Sequence, residues 1–243
     1  MQRALFISDL HLTVERPAAN EALFAFLERE APDAHALYIL GDLFEYWIGD
    51  DDLVDPLNAV VAGFLANTAR QGTPVFLMHG NRDFLLAADF CSASGAQLLA
   101  DPTVIDLFGT RTLLMHGDTL CTDDAAYQAW RETCRAKPWQ DEFMAAPLES
   151  RRRQMLELRA RSEADKRAKP ALVMDVNPQA VQDALLRHDC TRLIHGHTHQ
   201  PARHALEVDG RACERWVLTD WYRRGGYLNV GPAGATLVSL PLG

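Results

Sequence analysis

The chain has no CxxC pair, no internal repeat, no apolar run long enough to span a bilayer and no excess of positive charge. Each gap removes a class of protein. Cys91, Cys121, Cys134, Cys190 and Cys213 are scattered and odd in number, so neither a disulfide framework nor a zinc ribbon is expected, and a reducing cytosol suits them. Without an uninterrupted stretch of about 20 apolar residues, any membrane contact is expected to be peripheral. A formal net charge of −9 argues against broad nucleic-acid binding, which needs a basic surface. The N-terminus enters a strand-like run, Arg3 to Ile7, without the long apolar region of a secretory signal, and a cytoplasmic location is expected.

What is present is an alternation of short apolar runs and longer helical patterns. Leu5–Ser8, Ala36–Leu40, Pro74–His79, Thr112–His116 and Arg192–His195 read as strands. Ala22, Phe26, Leu27 and Glu30 recur at helical spacing between the first two, and Leu57, Val60, Val61, Phe64 and Leu65 between the next two. This pattern predicts an α/β architecture in a single domain over residues 1–243. Val217–Thr219, Tyr227–Val230 and Ala235–Leu240, joined by glycine turns, predict antiparallel strands in a second sheet packed on the first.

Residues 123–172 interrupt the strands with charged, helix-prone sequence that Pro138, Pro147 and Pro170 divide. They predict a helical insertion projecting from the body as a cap. Residues 151–169 carry eight basic residues against three acidic ones, a net +5 in an acidic chain. Arg151, Arg152 and Arg153 read as a solvated or membrane-facing surface. Trp130, Trp139, Phe143, Met144, Met155 and Leu172 are candidates to line an apolar chamber under the cap, against the plainer reading of core packing.

Five polar motifs follow the five strand candidates: Asp9-Leu10-His11, Gly41-Asp42, Gly80-Asn81-Arg82-Asp83, His116-Gly117-Asp118 and Gly196-His197-Thr198-His199. Ligands of α/β sheets bind at the carboxyl ends of strands, so clusters placed this way converge. Asp9, His11, Asp42, Asn81, His116, His197 and His199 supply carboxylate, imidazole and amide oxygen without thiolate. That set suits borderline-to-hard divalent ions such as Mn²⁺. Seven ligands are too many for one ion and suit two, with Asp42 as the bridge. Two divalent ions against two aspartates leave an excess of positive charge that attracts phosphate. Each motif alone is common; the five in order are specific. His79 and His195, before glycines at strand ends, read as supports for the ligands, as do Asp83 and Asp118.

The order DxH, GD, GN, HG, GHTH resembles the calcineurin-like metallophosphoesterase superfamily over most of the chain. ISDLHL, LYILGDLFEYWIGDDD, MHGNRDFLL, LLMHGDTLCTDD, MDVNPQAV and LIHGHTHQPA resemble, more narrowly, the UDP-2,3-diacylglucosamine diphosphatases of lipid A biosynthesis. The resemblance implies a four-layer αββα sandwich of two mixed sheets with a helical cap insertion. It implies hydrolysis of a UDP-linked diacylated glucosamine to UMP and 2,3-diacylglucosamine 1-phosphate, at the cytoplasmic face of the inner membrane and without nucleic acid. It places Asp9, His11, Asp42 and His199 at one metal, and Asp42, Asn81, His116 and His197 at the other. Asp42, Asn81, Arg82 and His116 are the implied catalytic set. Asn81, Arg82, Asp124, Ser162, Lys166, Lys169 and His197 are the implied substrate contacts, Lys166 standing where the family often carries Asn.

Most of the superfamily carries a histidine at the position of Arg82. Arginine stays charged and donates protons poorly, but it holds phosphate bidentately. A phosphate leaving group needs no proton near neutral pH, so Arg82 favours a diphosphate over a simple diester. The alternatives are a phosphoesterase for another diphosphate or a soluble diester, and a catalytically dead binding scaffold, which the intact set of seven ligands disfavours.

Overall fold

Every residue of β1 (Ala4–Ile7) and β2 (Ala36–Leu40) is buried, so neither strand has a solvent face. Successive side chains of a strand point to opposite sides, and here both sides are covered. Leu5, Ile7, Leu37 and Ile39 pack with Leu23 and Phe26 of α1 (Pro17–Arg29) and Val61 and Leu65 of α2 (Pro56–Arg70). Ala4, Phe6, Tyr38 and Leu40 pack with Leu114, Ile194 and Trp216 of a second sheet. In this computed structural model residues 2–168 and 175–242 are described, and of residues 161–168 the backbone alone.

The first sheet has the order β11-β10-β1-β2-β3-β4, adding β3 (Val75–Met78), β4 (Gln97–Leu99), β10 (Gly225–Gly231) and β11 (Gly234–Leu240). β1 to β4 run parallel, and β10 pairs antiparallel with both β1 and β11. The second sheet has the order β5-β6-β7-β9-β8, from β5 (Thr103–Leu107), β6 (Thr110–Leu114), β7 (Arg192–His195), β8 (Ala202–Val208) and β9 (Arg211–Val217). Its inner strands β6, β7 and β9 are parallel and its edges antiparallel. α1, α2 and α3 (Ala88–Ser94) cover the first sheet, while Val181 and Leu185 of α7 (Pro178–Arg187) cover Leu113 and Leu193 of the second. The layers are therefore α, β, β, α, as the resemblance implied.

Local chemistry sets the helix starts. Asp55 accepts from the Leu57 N–H ahead of α2, and Asn177 from Gln179 and Ala180 ahead of α7, each followed by a proline that lacks the N–H a first turn leaves over. The C-terminal strands differ from expectation. They do not form the second sheet together: β9 joins it, while β10 and β11 extend the first sheet from β1. Burial alternation reports which faces are covered and carries no information on which sheet a strand joins.

Between β6 and α7 the chain forms α4 (Ala125–Arg135), α5 (Lys137–Ala145) and α6 (Leu148–Ala168). Pro138 lies in the first turn of α5 and Pro147 precedes α6, so both divide the segment as expected. Phe143 and Met155, 4% and 9% exposed, belong to the core beneath α1–α3, and Trp139 stacks on Phe143 with ring centres 5.0 Å apart. They hold the segment to the body, whereas Trp130 and Met144 are exposed. Leu172 lies outside the described residues.

Arg151 and Arg152 are not a solvated face. Arg151 is 2% exposed and bonds the Asp51 carboxylate and the carbonyls of Ile48 and Ala146; Arg152 donates to Asp52 at 2.7 Å. Arg153 alone of the three is exposed. Buried carbonyls deprived of a charged donor cost more than the bond itself gives, so Arg151→Ala is expected to lower stability in urea unfolding by about 2 kcal/mol. Arg153→Ala is expected to stay within about 0.5 kcal/mol of the parent. Equal small effects from both would contradict the anchoring role.

Candidate active site

The five motifs leave the carboxyl ends of β1, β2 and β3 in one sheet and of β6 and β7 in the other, so the site lies where the two sheets meet. The turns are tightly cross-tied. The Asp9 N–H donates to the Gly41 carbonyl, His11 N–H to Asp42, Trp221 N–H to Asp9, and Gly196 N–H to His116, all within 3.1 Å. Asp9, His11, Asp42, His197 and His199 all have φ between 50° and 68°. For residues with a Cβ this region costs roughly 1 kcal/mol or more each, and it persists only where surrounding contacts impose it. A side chain at Gly80 would collide with the Asp42 carboxylate, and one at Gly196 with that of Asp9.

These turns aim all seven expected ligands inward. His11 Nε2 lies 3.3 Å from His199 Nε2 and 3.6 Å from Asp42 Oδ2, and His199 Nε2 lies 3.5 Å from Asp9 Oδ1. Asn81 Oδ1 lies 3.1 Å from His116 Nε2 and 2.9 Å from His197 Nδ1. The second oxygen of Asp42, Oδ1, is 3.8 Å from His116 Nε2. Asp42 therefore presents one oxygen to each half of the cluster, the placement a bridging ligand requires.

The donor set fits divalent ions. Ligand atoms of Asp9, His11 and His199 lie within 4.8 Å of one another, as do those of Asp9, Asp42 and His116. His116 Nδ1 faces the Leu40 carbonyl at 2.9 Å. The proton on that nitrogen leaves Nε2 as the one directed at Asn81 and Asp42. Either a proton or a cation must stand between Nε2 and these acceptors.

Burial would lower the His116 pKa, but the carboxylates of Asp42, Asp118 and Asp9 outweigh it and raise it to about 9. Burial pushes Asp42 up, His116 draws it down and the charge of Asp9 raises it again. For Asp9 burial is overcome by the His199 hydrogen bond and the histidine charges, which hold it well below the usual carboxylate range.

The supporting residues are also in place. Asp83 accepts from the N–H groups of Leu43 at 2.7 Å, Gly80 at 2.8 Å and Asp42 at 3.3 Å, tying the second motif to the third. Asp118 accepts from the Tyr127 hydroxyl and from Arg131 Nε, both at 2.7 Å and both on α4. His195, lowered to about 4 by burial and by Arg215, is neutral and bonds the Gly196 carbonyl. His79 bonds the Leu86 carbonyl at 2.7 Å.

Arg82 is 8% exposed, and its backbone N–H donates to Asp42 Oδ1 at 2.8 Å, which puts it at the cluster. Asp124 caps α4 by accepting from Tyr127 N–H at 3.1 Å. Ser162 and Lys166 lie on the α6 backbone, and Lys169 lies outside the described residues. Reading the sequence assigned no role to Glu45, Arg16 or Tyr222, which crowd behind His11. Glu45 lies three residues after the Gly41-Asp42 motif, within LYILGDLFEYWIGDDD, and its partners are far along the chain.

Residues 2–201 match the family model for calcineurin-like phosphoesterases. The chain belongs to that family. Among curated relatives of this phosphoesterase, a UDP-2,3-diacylglucosamine hydrolase of Aromatoleum aromaticum is 50% identical over 95% of the chain and 94% of its own length. Proteins of the same name from Xanthomonas axonopodis pv. citri and Cellvibrio japonicus are each 48% identical, the first over 98% of this chain and 99% of its own length, the second over 96% and 97%.

The raised His116 pKa gives a prediction for the metal-free phosphoesterase. A pKa raised to about 9 favours the protonated imidazole at pH 7.5, and a cation that took Nε2 as a ligand would displace that proton. Mn²⁺ binding is expected to release protons, seen as buffer-dependent heats in calorimetry, and to tighten as pH rises from 7 toward about 9. Affinity independent of pH across that window would contradict it.

Proposed function

We propose that this phosphoesterase hydrolyses the diphosphate of UDP-2,3-diacylglucosamine, in lipid A biosynthesis, with two divalent ions, Mn²⁺ by preference. Relatives of that name match it at up to half identity along nearly the whole chain, and the observation that carries the reading in the structure is Arg82 buried beside Asp42. Water adds to one phosphorus, the P–O–P bond breaks, and UMP and 2,3-diacylglucosamine 1-phosphate leave.

Bound to the seven ligands, with Asp42 shared, the ions would supply Lewis acidity and a nucleophilic water at neutral pH. The chain does the rest. Arg82 holds the sugar phosphate through its paired N–H groups and offers no proton, which suits a leaving group that is already a stable anion. Asn81, His197, Asp124, Ser162, Lys166 and Lys169 are assigned by resemblance to the sugar phosphate.

The three-helix segment serves as the cap over the lipid part of the substrate. Two acyl chains carry many methylenes, each worth about 0.8 kcal/mol when removed from water, so substrate of this kind resides in membrane. Among the described residues no helix is long and apolar enough to cross a membrane. The enzyme meets its substrate as a peripheral protein at the cytoplasmic face of the inner membrane.

Purified Mn²⁺-loaded protein is expected to release UMP from UDP-2,3-diacylglucosamine and to leave UDP-N-acetylglucosamine largely intact. Arg82→Ala is expected to lower turnover by about 10²-fold while keeping its metal, the scale of losing one charge-stabilising donor. Asp42→Ala is expected to lose at least one ion and all turnover. Equal hydrolysis of both nucleotide sugars, or wild-type turnover by Arg82→Ala, would overturn the substrate reading.

A further inference from the structure

Glu45 is a carboxylate with a side chain 1% exposed, close behind the turn that carries His11. Its backbone N–H donates to the Leu12 carbonyl at 3.0 Å, which holds it there. A buried charge must be paired, and this one draws its partners from three distant segments. Arg16 Nη2, from the loop after β1, donates to Oε2 at 2.6 Å. The Tyr222 hydroxyl, from the loop before β10, donates to the same oxygen at 3.4 Å. Arg159 Nε, from α6 of the cap, lies 3.0 Å from Oε1.

The fourth neighbour is His11, whose Nδ1 is 4.0 Å from Glu45 Oε2. His11 points its other nitrogen, Nε2, into the cluster of ligands. Metal-binding histidines are oriented, and made more basic, by a carboxylate at the second nitrogen. The contact here is electrostatic, about 1 Å longer than a hydrogen bond, so a small movement of Glu45 completes or weakens it. The Tyr222 ring stacks on the His11 imidazole at 4.9 Å, so the imidazole is supported on its face as well as at its edge.

We propose that Glu45 is a positioning residue that couples docking of the cap, through Arg159, to the orientation of His11 as a metal ligand. The proposal rests on the metal-binding reading of the site. With Arg159 docked, Oε1 has the guanidinium charge beside it as an ion pair without a hydrogen bond, and Oε2 faces Arg16, Tyr222 and His11. When α6 withdraws, the carboxylate loses one of its two cations and turns toward the other. Coupling between two binding events is reciprocal, so metal at His11 must favour the docked cap by the same factor.

The test measures Mn²⁺ affinity of the chelator-stripped protein, and protease cleavage within residues 125–168 with and without Mn²⁺. The variants are Arg159→Met, Glu45→Gln and the pair combined. Mn²⁺ is expected to protect the cap of the parent. Arg159→Met is expected to bind Mn²⁺ about fivefold more weakly. Glu45→Gln is expected to bind about tenfold more weakly, and the double variant no more weakly than Glu45→Gln alone. An Arg159→Met protein with parental Mn²⁺ affinity but a more readily cleaved cap would make Arg159 an anchor only and overturn the proposal. In Arg159→Met the Glu45 carboxylate keeps Arg16 at 2.6 Å as its counter-charge, so this variant decides the matter even where Glu45→Gln does not fold. A parent protein that takes up no Mn²⁺ would overturn the metal site itself, and the coupling with it.

Discussion

Two carboxylates, Asp9 and Asp42, are withdrawn from water at the seam between two sheets, 0% and 2% exposed. Charge buried this deeply is tolerated only with compensation close by. The surrounding structure supplies it with imidazoles from both sheets, left-handed turns that bring those imidazoles inward, and glycines at Gly80 and Gly196 that leave room for the carboxylates. The helices and the inter-sheet core make the backbone rigid enough to hold five non-glycine residues at positive φ. A cation set between the ligands satisfies the same electrostatic demand that a proton on His116 meets in its place.

That demand spreads outward to the helices between β6 and α7. Asp118 reaches Arg131 of α4, Glu45 reaches Arg159 of α6, and Asp51 and Asp52 reach Arg151 and Arg152. Arg135 donates to the Gly80 carbonyl at 2.8 Å, directly beside the third motif. Among the described residues, Arg131, Arg151, Arg152 and Arg159 of the segment serve as counter-charges to carboxylates of the body. Its attachment thus combines these ion pairs with the apolar contacts of Phe143 and Met155.

The convergence of the five motifs could be read from the order of residues because the carboxyl ends of α/β strands gather in one place. Asp9, His11, Asp42, Asn81, His116, His197 and His199 all arrive where their motifs placed them. The α/β alternation was readable for the same reason that β1 and β2 are apolar throughout: both of their faces are covered. The destination of β9, β10 and β11 was not, because strand pairing depends on neighbours far along the chain. Nor was the role of Arg151, since a run of arginines has the same composition on a solvated face as in a set of buried ion pairs. Glu45 escaped notice because its partners come from residues 16, 159 and 222, and no local pattern joins them.

The central claim is that these seven residues form one site for two divalent ions sharing Asp42. Anomalous diffraction from crystals of the Mn²⁺-loaded protein, recorded at the manganese edge, tests it most directly. The account predicts two peaks: one among Asp9, His11, Asp42 and His199, the other among Asp42, Asn81, His116 and His197. A single peak, or manganese bound away from Asp42, would contradict it.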